Sequence, residues 1–262
     1  MKLYDCFMFY NELDLLEIRL NELNDVVDYF VIVESTRSHQ NKPKPLYFEL
    51  NKEKFLNFLP KIKHVVVPDG VFTDNNSMQN DIIQRSFIKN GLADADKNDL
   101  VLISDLDEIP SKESISRAIQ KNKTPLIFNQ YMHYYYLNTK LLINGSEYNC
   151  GTSLVNKEIF FENTELTRQS SKYRFEILEN GGWHFSFLGD TKHVLNKLQN
   201  YAHSEFSHIS EEQIKNRLEQ MQDPLGRGSA YEIKCENDIS YLPDYIKNNL
   251  NRFKHLIKDC QL

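Results

Sequence analysis

Residues that punctuate or cross-link a chain are scarce here: 262 residues include four cysteines, eight prolines, nine glycines and one tryptophan. Cys6, Cys150, Cys235 and Cys260 stand far apart, and no two of them have the spacing of a zinc knuckle or a redox motif. The expectation is reduced thiols in a reducing compartment rather than a disulfide framework. No Gly/Ser/Pro-rich linker, internal repeat or low-complexity run interrupts the sequence, so it reads as one domain over 1–262. No apolar run approaches the roughly 20 residues that span a bilayer, and Met1 to Cys6 carries no signal-peptide core. A soluble, cytoplasmic protein is expected. Basic excess is missing too: 31 Lys and Arg face 37 Asp and Glu, a net charge of -6. Without a basic stripe the chain is a poor partner for nucleic acid, which is held largely through its phosphates. A single nucleotide is still compatible, because a metal and one or two well-placed cations suffice for it.

What is present is an ordinary globular composition, 40% hydrophobic and 26% charged, too apolar for a disordered chain. Leu3 to Phe9 reads as a strand, followed by a helix that Asn11 can cap, with Leu13, Leu16, Leu20 and Leu23 at helical spacing. Tyr29 to Val33, His64 to Val67 and Leu100 to Ile103 are continuous apolar runs, the pattern of strands buried on both faces. Between the last two, a helix is predicted from about Met78 to Ala93, turning Ile82, Ile83, Phe87 and Ile88 to the core, and another starts after Pro110. Alternating strands and helices imply an α/β fold with a mostly parallel sheet, flanking helices and ligands outside the carboxyl ends of the strands. The second half changes character. Pro125 to Asn138 is an aromatic-rich strand or hairpin, short strands follow near Thr152 to Val155 and Trp183 to Phe187, and helices take over from Thr191. The division is a nucleotide-binding half of about 1–122 and a smaller acceptor-side lobe of about 123–262.

The sharpest motif is Ser104-Asp105-Leu106-Asp107-Glu108-Ile109-Pro110, directly after an apolar strand. Two carboxylates one residue apart at a strand end can converge on one hard cation, Mn²⁺ or Mg²⁺, that leaves room for phosphate oxygens. In a nucleotide-sugar transferase such an ion neutralises the leaving diphosphate. Haloacid-dehalogenase-type Mg²⁺-dependent phosphohydrolases also place Asp-X-Asp after a buried strand. Their motif normally lies near the start of the chain, and Ile109 is an imperfect match to their following Thr or Val. A non-catalytic glycan-binding protein that kept the fold is a third reading.

Several blocks recur in order along nearly the whole chain: Asn11 to Arg19, Asp25 to Asp28, Glu34-Ser35, Lys42 to Phe48, Asp105 to Pro110, Gly182-Trp183-His184, and the final helix with Tyr245, Asn249, Arg252 and Phe253. In these the chain resembles glycosyltransferase family 17. The resemblance implies a GT-A type nucleotide-sugar transferase fold, a UDP-sugar donor (UDP-GlcNAc before others), a divalent metal, and inversion at the anomeric carbon. The missing membrane anchor and lumenal stem point away from a Golgi glycan, towards a bacterial or viral glycan or a lipid-linked precursor as acceptor.

Roles follow. Asp105 and Asp107 are the metal and diphosphate pair, and His184 is a further metal ligand or a core histidine. Glu108 is a second ligand layer or a helix N-terminal charge. Glu34 and Thr36 close a strand where uridine or ribose would lie. Arg85, with Asn80 and Asp81 a turn earlier, reaches the diphosphate or forms a surface ion pair; Arg227, between Gly226 and Gly228, closes over the diphosphate or is part of a glycine turn. An inverting transfer needs a carboxylate to take the acceptor's proton, and Asp190, then Glu176, are the candidates. Trp183 and the tyrosines from Tyr131 to Tyr136 stack on sugar or pack the core.

Overall fold

A computed structural model describes residues 1–74, 76–122, 124–162, 164 and 175–260. Its strands are β1 (Leu3–Phe9), β2 (Tyr29–Ser35), β3 (Ile62–Val67), β4 (Leu100–Asp105), β5 (Glu108–Pro110), β6 (Leu126–Tyr134), β7 (Thr139–Ile143), β8 (Tyr148–Asn156), β9 (Glu176–Leu178), β10 (Gly182–Ser186) and β11 (Tyr231–Cys235). They form one sheet whose main path runs β11-β7-β6-β8-β4-β1-β2-β3. Its N-terminal part, β4-β1-β2-β3, is wholly parallel. From β8 onward the main path is antiparallel, while β9 and β10 pair parallel to β6 off that path.

The parallel part forms where the three apolar runs were read, for a plain reason. Along β1, alternate residues point to opposite faces, and both faces are covered. Phe7 and Phe9 join Leu16 and Leu20 of the helix Leu13–Leu23 in one core cluster. Tyr4 and Cys6, on the other face, join Val31, Val101 and Ile88 in a second. A third cluster, with Tyr135, Phe187, Val194, Leu198 and Ile214, gathers residues of the second half of the chain.

Four expectations change. Asn11 does not cap the first helix; its amide reaches Asn196 of the other half at 3.2 Å. The helix predicted over 78–93 runs as Ser77–Ser86 and then, after Phe87, Ile88–Gly91. The face it buries at Asn80, Gln84 and Arg85 is polar, with Ile82 and Ile83 only half-buried. Helices do not dominate to the end, because β11 pairs antiparallel with β7. Nor are all the thiols reduced: Cys235 and Cys260 form a disulfide across 25 residues, fastening β11 to the C-terminal segment. Cys6 is a buried free thiol. No helix among the described residues is long and apolar enough to cross a membrane.

Candidate active site

A cleft of about 610 Å³ opens at the carboxyl ends of β1 and β4, where a parallel sheet binds its ligands. Asp105, Asp107, Arg85, His184, Arg227, Tyr134, Glu12 and Lys197 all line it.

The Asp-X-Asp turn is shaped from behind by Arg19, on the helix Leu13–Leu23 and fully buried. Its Nη1 donates to the carbonyls of Asp105, Leu106 and Glu108 at 2.9, 3.0 and 2.8 Å. Nη2 donates to Ser104 Oγ at 2.6 Å. Buried carbonyls need donors; one guanidinium reaches three, and the Glu108 carbonyl also accepts from Thr152 Oγ1 at 3.1 Å. From the front, the Glu108 carboxylate accepts the backbone N–H of Asp105 at 2.9 Å. Glu108 lies in β5, so the helix-terminus reading is set aside: the helix Lys112–Lys121 is capped by Ser111 instead.

β5 pairs antiparallel with β10, setting His184 opposite Glu108. The close approach depends on Gly182, whose φ is +134° and whose added Cβ would sit 2.2 Å from the Ile109 carbonyl oxygen. This register brings His184 Nε2 to 3.6 Å from Asp107 Oδ1. That separation exceeds a hydrogen bond and suits two donors shared by one cation. The other Asp107 oxygen, Oδ2, accepts from Lys197 Nζ at 2.6 Å. Burial alone would raise the Asp107 carboxyl; the Lys197 ammonium, with His184 behind it, instead holds it well below the usual carboxylate range. Burial would likewise depress Lys197 and His184, and in both the negative charge of Asp107 outweighs it and raises the pKa. Asp105 has a different partner: Arg85 Nη2 stands 3.0 Å from its Oδ1 and 3.2 Å from the Asp81 carboxylate.

Among the described residues, no three His, Cys, Asp or Glu side chains make a ready metal cage. Asp107 and His184 nevertheless fit an ion completed by phosphate and water, the way Mg²⁺ and Mn²⁺ are bound beside nucleotides.

The structure brings together Asp105, Asp107, His184, Arg85 and Arg227 of the residues singled out in the sequence. Arg227 is held by the buried Asp223 and donates to the Tyr134 hydroxyl at 3.0 Å. Others stand behind the cleft or away from it. Glu34 is fully buried, accepting from the Phe48 N–H and lying 3.1 Å from His64 Nε2. Thr36 donates to Asp69 at 2.7 Å. Asn80 ties Thr73 to His39 through hydrogen bonds of 2.7 to 2.8 Å. Asp190 is the N-cap of the helix Thr191–Leu198, paired with His193, and is largely exposed. Glu176 pairs with Lys121 on β9. Neither of these two carboxylates lines the cleft. Trp183 is buried in the core and donates its indole N–H to the Tyr241 carbonyl at 2.8 Å, so it is no stacking platform. Of the tyrosines, Tyr134 reaches the cleft and Tyr135 packs in the core.

Sequence reasoning passed over Lys197 and Glu12, and it read Arg19 only as part of a motif. Lys197 leaves no local signal, lying 90 residues from Asp107. Arg19 left one: an arginine among Leu16, Ile18, Leu20 and Leu23 can be buried only if an anion meets it.

A pocket floored by paired carboxylates at the ends of parallel strands, with cations on its walls, defines a nucleotide-binding α/β enzyme site. The chain belongs to glycosyltransferase family 17, whose profile matches residues 1–233; the phosphohydrolase alternative is thereby set aside. It is similar to the human β-1,4-mannosyl-glycoprotein 4-β-N-acetylglucosaminyltransferase, at 23% identity over 94% of this chain and 53% of that protein. The enzyme of the same name from Rattus norvegicus is 22% identical over 95% and 53%. The chain therefore spans about half the length of the curated relatives it matches. Among solved structures, 4-diphosphocytidyl-2C-methyl-D-erythritol synthase aligns with a TM-score of 0.42 and 14% identity, over 68% of this chain and 88% of that one.

Proposed function

We propose that this glycosyltransferase moves GlcNAc from UDP-GlcNAc to a glycan hydroxyl, inverting the anomeric centre in a single displacement. The observation that carries the reading is the convergence of Asp105 and Asp107 with Arg85, Lys197 and His184 at the mouth of the parallel sheet. The name of the relatives supports the donor sugar.

In this reading the bond between the anomeric carbon and the donor diphosphate breaks as the acceptor oxygen attacks from the opposite side. Negative charge builds on the leaving diphosphate, and fixed cations near it lower the barrier. Arg85, braced by Asp81 and Asp105, is one such cation. A divalent ion held by Asp107 and His184, with Mn²⁺ favoured by the imidazole donor, would supply Lewis-acid stabilisation of the same charge. The acceptor's proton goes to a carboxylate on the cleft wall. Glu12 takes that role in place of Asp190 and Glu176, because it faces the cleft and they do not. The disulfide favours an oxidising compartment over the cytoplasm.

The test is thermal stability with a panel of nucleotide sugars, each with and without Mn²⁺, since a ligand of the folded state raises the melting temperature. A shift with UDP-GlcNAc that grows with Mn²⁺ supports the reading. A shift with glycan alone, and none with any nucleotide sugar, would replace it with a non-catalytic glycan-binding protein.

A further inference from the structure

Arg85, Arg227, Lys44 and Lys197 all line the cleft, and Lys197 is placed unlike the other three. Arg85 is braced by two carboxylates, Asp81 and Asp105. Arg227 is fastened to buried Asp223 through its backbone N–H and its guanidinium. Lys44 lies against buried Glu34, with its ammonium over the rings of Tyr10 and Tyr47. Lys197 instead reaches in from the helix Thr191–Leu198 and rests on Asp107, the carboxylate placed to hold the ion. Its next anion, Glu12, is 3.9 Å away, and about a quarter of its side chain (23%) is exposed to the cleft.

An ammonium on a flexible four-carbon stem can turn from one oxygen anion to another with little reorganisation, which a braced guanidinium cannot do. A nucleoside diphosphate entering beside Asp107 brings oxygen anions of higher charge than the carboxylate. The helix that carries Lys197 is also tethered across the cleft. Asn196, one residue earlier, accepts from Asn11, and the Leu198 carbonyl one residue later accepts from Gln40. The root of the lysine is therefore held, and its ammonium makes one hydrogen bond among the described residues, to Asp107 at 2.6 Å, that an incoming anion can compete for.

We propose that Lys197 is a protein-borne cation for the donor's diphosphate, so that nucleoside diphosphate binding persists when the divalent ion is removed. This rests on the donor-site reading above. Lys197 shares with the ion the task of offsetting the charge of the diphosphate, and it is a binding residue that neither the motif nor the family likeness singled out.

The experiment is calorimetric titration of UDP into the purified chain, in EDTA and in Mn²⁺, for wild type, Lys197→Met and Lys197→Arg. In EDTA the wild type is expected to bind UDP, and Lys197→Met to bind it about tenfold or more weakly, the worth of one charge-assisted hydrogen bond. Lys197→Arg, which keeps the charge, should recover most of that loss, and this also separates lost charge from lost fold. Wild type and Lys197→Met binding UDP equally in EDTA, or wild-type binding seen only with Mn²⁺, would overturn the role of Lys197 and leave the donor site standing. Absence of UDP binding in every condition would overturn both.

Discussion

Arg19 and Asp5 form a fully buried ion pair, Nε to Oδ2 at 2.8 Å and Nη2 to Oδ1 at 2.6 Å, directly beneath the Asp-X-Asp turn. Asp5 fixes the guanidinium, and the guanidinium fixes the three carbonyls of the turn. Loss of one member of such a pair leaves an uncompensated buried charge, which costs about 3–5 kcal/mol. Arg19→Met should therefore lower unfolding free energy by roughly that amount in urea. Arg19→Lys keeps the charge but lacks the planar fork, so UDP affinity is expected to fall even where the variant is folded. A lysine variant with wild-type stability and UDP affinity would show that the pair does not hold the turn.

Asp105→Asn and Asp107→Asn remove the charge with little change in volume. Each is expected to lower transfer from UDP-GlcNAc by at least about 100-fold, the scale of losing one electrostatic element of a transition-state site, while the circular dichroism spectrum stays native. For Asp107→Asn the Mn²⁺ concentration giving half-maximal UDP binding should also rise. Unchanged turnover in either variant would remove that carboxylate from the site.

His133 is fully buried on β6 between Phe185 and Tyr241, and neither ring nitrogen has a hydrogen-bond partner among the described residues. Burial first, then the nearby Lys140 and His184, lower its pKa to about 3. The folded protein then refuses a proton that the unfolded chain accepts below its ordinary value of about 6.5. The sign follows: stability from this group is complete above that value and drains away as the pH falls from there towards the folded pKa. Between pH 7 and pH 5 the loss is about 2 kcal/mol. Denaturation of wild type and His133→Phe at both values measures it, and a stability difference that does not change with pH would refute the neutral buried imidazole.

The Cys235–Cys260 disulfide closes a loop of 25 residues, for which chain entropy predicts about 3.5 kcal/mol. Opening it by reductant, or by Cys235→Ser with Cys260→Ser, should lower Tm by roughly 6 °C in a protein of this size. Mass spectrometry under native, non-reducing conditions that finds both thiols free would contradict the bond itself.

The sequence by itself determined the parallel half of the sheet, the helix between its first two strands, and the position of the Asp-X-Asp turn at a strand end. These are legible because burial on both faces forces unbroken apolar runs such as Tyr29 to Val33 and Leu100 to Ile103, and a one-sided helix forces a recurrence like Leu16, Leu20 and Leu23. Each is a local consequence of backbone geometry. Family blocks added His184, whose neighbourhood no periodicity describes.

Only the tertiary structure decided which polar residues meet. Glu34 and Thr36 end a strand at the right height but spend their hydrogen bonds on Phe48 and Asp69, because the loops after β2 and β3 fold back over them. Asp190 caps the helix Thr191–Leu198 and does not line the cleft, a local bond that sequence rules can foresee but not weigh against a distant site. β11 escaped notice because Tyr231 to Cys235 is half-exposed and reads as a strand only once β7 offers it a partner. The cystine, the Arg19 clamp and the Lys197–Asp107 pair share that cause: each joins segments 14 to 90 residues apart. Such contacts follow from strand register and helix docking; residue spacing marks Arg19 as buried but does not say what it meets.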